Sequence, residues 1–432
     1  MLDLAPTATR PPESPRLQRL LADLETDSGA LAAFWAERAA MGAPIVEPVD
    51  SPAGAVMVTF VWRETGPTSN VVLLEWISGK DFPDRQMTHL AGTDLWYRSM
   101  VMRDDIRTSY QFAPNDSLTP KAEETDWDTR RLGWVPDPLN PSRLVDERFQ
   151  GDPDLGRFND SVLALPHSAS EPWIVHDPAI PAGTVDHHTF TSEILENSRD
   201  VWVYTPAGYG DGAEAPALLV LFDGERHDSV MRTPTVLDNL IAAGAIPPLV
   251  ALMIGNVDRG TELPCSEPFA RSLVDEMLPW LTDRYRVTER AGERVVAGQS
   301  YGGLAAAWAG LTHPETFGNV LSQSGSYWWK PDPMNAERDV VLGDAPEWAW
   351  LPSRVATMPV APVRFWMEVG RLENRASSDG MPSMVASNRH MRDVLVSRGY
   401  AVTYREYSGG HDYVWWRSTL ADGLIALLGD EG

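Results

Sequence analysis

Residues 294–311 read RVVAGQSYGGLAAAWAGL. RVVA is a short apolar run of the kind that forms a buried strand. GLAAAWAGL is rich in small residues and suits a helix that packs closely on a sheet. Between them Gly298–Gly302 fits G-x-S-x-G. A strand, a tight turn and a helix with serine at the apex expose that hydroxyl on a strained elbow. Glycines are expected on either side, because a Cβ there would meet the neighbouring strand or helix. Ser300 is the expected nucleophile.

The same rhythm extends in both directions. DVWVYTP, ALLVLFDG, LVALMIGNV, NVLSQSGS, VRFWMEVG and AVTYREY read as further strands. TVLDNLIAAG, PFARSLVDEMLPWLTDRY, SMVASNRHMRDVLVSRG and WWRSTLADGLIALL read as helices. Nearly all-apolar strands alternating with amphipathic helices imply a mostly parallel sheet covered on both faces. With the elbow, this predicts an α/β-hydrolase domain over residues 183–432.

Upstream the pattern differs. Leu17, Leu20, Leu21, Leu24, Leu31 and Phe34 recur at helical spacing. AVMVTFVWRE, NVVLLEWIS, LWYRSMVM and TSYQFAP are strand-like runs between turn residues, predicting a small antiparallel β-sandwich over about residues 50–115. Helices and sandwich together are expected to fill residues 1–145. The Asp-, Pro- and Asn-rich residues 146–182 are expected to form a connector.

Bulk properties exclude several classes. An apolar share of 43% and a charged share of 22% are ordinary for a globular chain. The net charge of −25 opposes binding to a phosphate backbone or an anionic lipid surface. A single cysteine, Cys265, leaves no internal disulfide and no cysteine-rich zinc site. No His/Asp/Glu cluster has metal-ligand spacing and no phosphate-cradling loop is present, so neither metal nor cofactor is expected. The N-terminal stretch lacks the apolar core of a signal peptide, and no segment is long and apolar enough to span a bilayer. A cytoplasmic location is the expectation.

A serine nucleophile of this type needs a histidine later in the chain. His313 ends the helix after the elbow, and His390 sits between Arg389 and Arg392 on a charged helix. His411, in SGGHDY after the last strand, lies at the sheet's carboxyl edge and is the expected base. The acid should follow VRFWMEVG. Glu368 is inside that strand, Glu373 stands just past its end, and Asp379 lies further along a polar loop. Glu373 is favoured and Asp379 is second, while Asp412 is read as a loop-stabilising carboxylate. The oxyanion donors are expected to be the backbone N–H of Tyr301 and that of Gly224 or Glu225 in LFDGERHD, with Gly224 allowing the turn.

VVAGQSYGGL and VLSQSGSYWW, with RGTELPCSEPF upstream and SGGHDYVWWR downstream, resemble the enterochelin (ferric enterobactin) esterases. NSRDVWVYTP, VLFDGE, AGTDLWYRS, FVWRE and DPLNP share the resemblance, which is collinear from about residue 50 onward. It implies a cytoplasmic esterase that opens the trilactone of a catecholate siderophore, often iron-bound, with Ser300, His411 and Glu373 as its triad. It also implies a β-sandwich ahead of an α/β-hydrolase domain. A ferric tricatecholate is a trianion with flat rings. Arg259 is therefore the first expected charge partner, Arg226 and Arg199 the next, and Trp328 and Trp329 the expected stacking groups. The segment from Pro331 to Pro362 is a candidate for tuning which siderophore fits. The rivals are a feruloyl or other carbohydrate esterase, or an acyltransferase, on the same fold. A binding protein with a relic hydrolase half is a further rival, opposed by the intact Ser, acid and His set.

Overall fold

The computed structural model of the protein describes residues 12–145, 159–210, 212, 214–331, 349–375 and 381–429. The chain divides into two compact units, residues 1–169 and 170–432. The segment read as a connector is thus shared out. Part of it supplies a strand to the first unit. Residues after Ser170 belong to the second, where Asn239 donates to the carbonyls of Trp173 and Val175 at 2.7 and 2.9 Å.

The first unit begins with α1 (Pro15–Leu24) and α2 (Ala30–Met41). Its strands are β1 (Ile45–Pro48), β2 (Ala55–Arg63), β3 (Val71–Glu75), β4 (Thr88–His89), β5 (Leu95–Arg103), β6 (Arg107–Pro114), β7 (Arg143–Val145) and β8 (Asn159–Ala164), with α3 (Trp127–Arg131) between β6 and β7. They form two antiparallel sheets of order β1-β2-β5-β4 and β3-β6-β8-β7. Edge-to-face pairs join the inner faces: Phe60 with Tyr110 at 4.9 Å and Trp62 with Phe112 at 5.3 Å. The buried Tyr110 hydroxyl needs a partner and donates to Asp137 at 2.8 Å. Asn140 donates back to that hydroxyl and to the Val162 carbonyl. The DPLNP segment is pinned to the second sheet in this way.

The second unit contains β9 (Thr184–Ser192), β10 (Asn197–Thr205), β11 (Ala217–Phe222), α4 (Gly224–His227), α5 (Thr233–Ala242), β12 (Leu249–Ile254), α6 (Arg259–Glu262), α7 (Glu267–Ser272), α8 (Leu278–Thr282), β13 (Arg294–Gln299), α9 (Tyr301–Thr312), β14 (Asn319–Gln323), α10 (Trp350–Val355), β15 (Arg364–Gly370), α11 (Met384–Ser397), β16 (Ala401–Tyr407) and α12 (Tyr413–Leu428). One eight-stranded sheet runs β16-β15-β14-β13-β11-β12-β10-β9. From β16 to β12 every pairing is parallel; β10 and β9 are added antiparallel. This is the α/β-hydrolase architecture.

The apolar runs of the central strands are explained by burial on both faces. Leu218, Val220 and Phe222 of β11 join one core with α7, α9 and α11, whereas Leu219 and Leu221 join another with α5 and α12. Each fully buried Leu or Val contributes roughly 1.5–3 kcal/mol of transfer free energy. The edge strands β9 and β16 instead alternate between covered and exposed positions. The long helix read in PFARSLVDEMLPWLTDRY is interrupted: a π turn over Leu273–Met277 separates α7 from α8. Pro279 lies just beyond it; without an N–H, and with a ring that would press on the Asp275 carbonyl, it cannot continue a regular α-helix.

Candidate active site

Three neighbouring strands, β14, β13 and β11, stop in the same way. Each is followed at its carboxyl end by a non-glycine residue in the left-handed region: Ser324 at φ 47°, Ser300 at φ 57° and Asp223 at φ 59°. Such conformations cost free energy in any residue with a Cβ and gather where function holds them. The three form a row at the sheet's carboxyl edge, where open α/β sheets bind ligands.

Ser300 is the apex of the middle turn, with ψ −119°. Its N–H donates to the Gln323 carbonyl at 3.0 Å, and its own carbonyl accepts from Leu304 and Ser326. Its Oγ lies 3.3 Å from the Ser326 Oγ. The flanking glycines are not equivalent. A Cβ on Gly298 would fall 2.5 Å from the Gly302 backbone, whereas one on Gly302 would meet the Asp223 carboxylate at 3.3 Å. Gly303 is also tight, its Cβ position being 2.7 Å from the Ser322 Oγ.

His411 Nδ1 meets Glu373 Oε2 at 2.6 Å. An ionised carboxylate can only accept, so Nδ1 carries the proton and the Nε2 lone pair remains for another group. The Glu373 side chain is only 5% exposed, against 34% for His411. Its second oxygen accepts from the Ser324 hydroxyl at 2.6 Å and from the Gly370 N–H at 2.9 Å. The His411 ring stands edge-on to Trp416, 4.7 Å between centroids. Among the other candidates, Glu368 is buried in β15 and held by Gln323, Trp366 and Thr419. Burial pushes its carboxyl up to about 7 in spite of those three donors. Asp379 lies outside the described residues. Asp412 caps α12, accepting from the Val414 N–H. His313 ends α9 beside Glu315, and His390 is exposed on α11.

Tyr301 is the first residue of α9 and Gly224 the first of α4, and neither helix has a side-chain cap. The first amides of a helix lack intrahelical partners. Gly224 serves a purpose other than turning the chain: its Cβ would lie 2.6 Å from the Met253 backbone of β12, and the left-handed turn is made by Asp223. Glu225 accepts from Asn256 at 2.9 Å.

Arg259 opens α6 and is clamped by Asp223, Nε to Oδ1 at 2.6 Å and Nη2 to Oδ2 at 2.9 Å. Burial would raise the Asp223 carboxyl, but the Arg259 hydrogen bonds and charge outweigh it and hold the group below its ordinary range. Next to them His227 is fully buried and bonded to Thr233, and burial pushes it down to about 4, so it is neutral. Arg199 is buried in a pair with Glu262, at 2.7 Å, and Arg226 sits on α4. Trp328 leans on Tyr301, with ring centroids 5.9 Å apart. Trp329 turns away from that pair to pack edge-on against Trp350 of α10. Of the segment 331–362, residues 332–348 lie outside the described residues.

Sequence reading passed over Asp223, His227, Ser324, Ser326 and Trp416. The serines stand in QSGS directly after a buried strand, beside the strand that carries the elbow, and that position was the available signal.

Among the described residues no group of three His, Cys, Asp or Glu could hold a metal ion, and no helix is long and apolar enough to cross a membrane.

Comparison with known proteins gives concordant results for both units. The family model described as "Enterochelin esterase, N-terminal" matches residues 57–174, and an esterase family model matches residues 192–427. An iron(III) enterobactin esterase of Dickeya dadantii is 30% identical, with 92% of this chain and 93% of that protein covered. One of Escherichia coli is 32% identical, with 86% and 90% covered. The enterobactin esterase of Shigella flexneri, crystallised in the presence of enterobactin, superimposes with a TM-score of 0.69 at 30% identity, covering 89% of this chain and 95% of that one.

Proposed function

The chain belongs to the enterochelin esterase family of carboxylic ester hydrolases, and we propose that it opens the trilactone of an enterobactin-like catecholate siderophore with a Ser300–His411–Glu373 triad. The observation that carries the substrate is the match over both units to relatives that act on iron(III) enterobactin. A feruloyl esterase would share the hydrolase fold without requiring the N-terminal unit, and fold alone does not set the substrate.

On this reading the chemistry is acyl transfer through a serine. Ser300 Oγ attacks the ester carbonyl carbon as His411 Nε2 removes the hydroxyl proton. The carbonyl electron pair moves onto oxygen, where the N–H groups of Tyr301 and of Gly224 or Glu225 meet it. Each such donor is worth roughly 3 kcal/mol of transition-state stabilisation. Glu373 orients the imidazole and stabilises its cation. Collapse breaks the ester C–O bond, and the departing alkoxide takes the proton from His411. Water, deprotonated by His411, then repeats the attack on the acyl-serine and restores Ser300.

A ferric tricatecholate also needs positive charge and flat apolar surface. The Arg259 side chain, 37% exposed and bonded to the Gln299 carbonyl at the elbow, is the first expected source of charge, and Arg226 on α4 the next. The Tyr301–Trp328 pair offers rings for a catechol to stack on. With Trp329 packed on Trp350, Trp328 is the stronger of the two expected stacking groups. A cytoplasmic site of action fits the single cysteine and the use of the reaction, which is to weaken a chelate so that its iron is released.

The test is a mass-spectrometric assay of ferric and iron-free enterobactin beside methyl ferulate. The expected result is conversion of the trilactone to linear products at a kcat/KM at least about 100-fold above that for the ferulate. Preference for the ferulate would assign the chain to carbohydrate esterase chemistry.

A further inference from the structure

We propose that Ser324 is a positioning residue for the triad, fixing the carboxylate of Glu373 through a hydrogen bond whose direction is enforced by Trp416. This rests on the reading of Glu373 as the triad acid.

Three observations carry it. The Ser324 Oγ lies 2.6 Å from Glu373 Oε1, and the Trp416 Nε1 lies 3.2 Å from the same Oγ. An indole N–H can only donate, so the serine oxygen accepts from Trp416 and its own O–H is left for the carboxylate. The hydroxyl has one orientation as a result. With the Gly370 N–H also on Oε1 at 2.9 Å, that oxygen is tied twice, and Oε2 is the one presented to His411.

The second observation is the backbone. Ser324 is buried and left-handed at φ 47°. Glycine would occupy that conformation more easily, so a purely structural demand on this turn would select glycine. The turn is anchored by the Ser324 N–H on the Glu368 carbonyl at 2.7 Å, a bond that glycine would keep. What glycine would lose is the hydroxyl.

The third is shared contact. Trp416 touches Ser324 and His411, the two residues on either side of Glu373, with its N–H on the first and its ring against the second. Two residues further along the same turn, Ser326 donates its N–H to the Ser300 carbonyl at 3.0 Å. The QSGS turn after β14 therefore contacts the nucleophile on one side and the acid on the other.

The experiment is a double-mutant cycle on 4-nitrophenyl acetate with Ser324→Gly, Glu373→Ala and the double variant, with melting temperatures for each. Ser324→Gly is expected to lower kcat by about tenfold with KM within about twofold. Its melting temperature should stay within a few degrees of the wild type, because relief of the strained backbone offsets the loss of the hydroxyl's bonds to Glu373 and Trp416. In the Glu373→Ala background the same change should alter kcat by less than about twofold, because a residue acting only through Glu373 has nothing left to position. Ser324→Ala, which retains the backbone strain, should match the kcat of Ser324→Gly, and Trp416→Phe should lose less than either. Wild-type kcat in Ser324→Gly, or an equal fold-loss in both backgrounds, would overturn the proposal while leaving the triad in place. Wild-type kcat in Glu373→Ala would overturn the triad reading itself, and this proposal with it.

Discussion

Arg259 grips both carboxylate oxygens of Asp223 and reaches on to the carbonyl of Gln299 at 3.3 Å, so one guanidinium joins the end of β11 to the residue before Ser300. It thereby links the two strands whose following amides are the proposed oxyanion donors. Removing it leaves a buried carboxylate without its cation, which is the costly way to open an ion pair. Arg259→Ala is expected to lower stability by about 2–3 kcal/mol, less than for a fully buried pair because Arg259 is partly exposed. It should lower kcat/KM by about tenfold or more for 4-nitrophenyl acetate, and by at least as much for ferric enterobactin, which also loses a charge partner. Thermal melts and steady-state kinetics on both substrates check this. A loss confined to the ferric substrate would make Arg259 a pure anion-binding residue.

The two elbow glycines should separate in a stability assay. A methyl at 298 would be driven into the Gly302 backbone, which cannot yield without moving α9; at 302 it would press on one side-chain oxygen. Gly298→Ala is expected to cost about 3 kcal/mol or more, and Gly302→Ala about 1 kcal/mol. Chemical denaturation of the two variants measures the difference; equal costs would contradict the packing described.

The same contrast shows what the sequence could convey. Ser300 was legible because G-x-S-x-G sits between a buried strand and a small-residue helix, and both are visible as composition. Glu373 stands shortly after the apolar strand β15 and His411 shortly after the alternating edge strand β16, so strand order predicts their neighbourhood. Asp223 and Ser324 were not legible. Each adopts a left-handed turn without the glycine that usually announces one, and a positive φ leaves no mark on periodicity. Strand β9 was missed because only Val185 and Phe190 of its nine residues are apolar. The break in the helix after Glu267 was missed because one proline in an otherwise helical pattern leaves open how the helix will adapt. Arg259 was read as the first charge partner for the substrate; its clamp by Asp223 was not legible, because that carboxylate is 36 positions away in the chain.

Glu368 should make stability depend on pH in a defined direction. Its carboxyl is raised from 4.5 to about 7 in the folded protein by burial, so the folded state favours the neutral form. That contribution is fully present below pH 4.5 and is lost as pH rises through 7. Glu368→Gln keeps a neutral side chain at every pH. Relative to wild type, it should gain up to about 3 kcal/mol between pH 4 and pH 8. Denaturant titrations of both proteins across that range check the sign. A difference independent of pH would mean that Glu368 is not held neutral.

An acidic protein and an anionic substrate repel at long range. With a net charge of −25, association with ferric enterobactin should speed up as salt shortens the screening length from about 30 Å at 0.01 M to about 8 Å at 0.15 M. Stopped-flow binding to Ser300→Ala, which cannot turn over by the proposed route, isolates that step. A rate that falls with salt would show that a local basic field dominates the approach.

In the proposed function Ser300 carries the hydrolysis of a siderophore trilactone. Its most direct test is product analysis by mass spectrometry of ferric enterobactin incubated with wild type and with Ser300→Ala, each confirmed folded by its melting curve. The expected result is linear hydrolysis products from the wild type and, from Ser300→Ala, a kcat lower by about four to six orders of magnitude. A folded Ser300→Ala protein that opens the trilactone at the wild-type rate would contradict it.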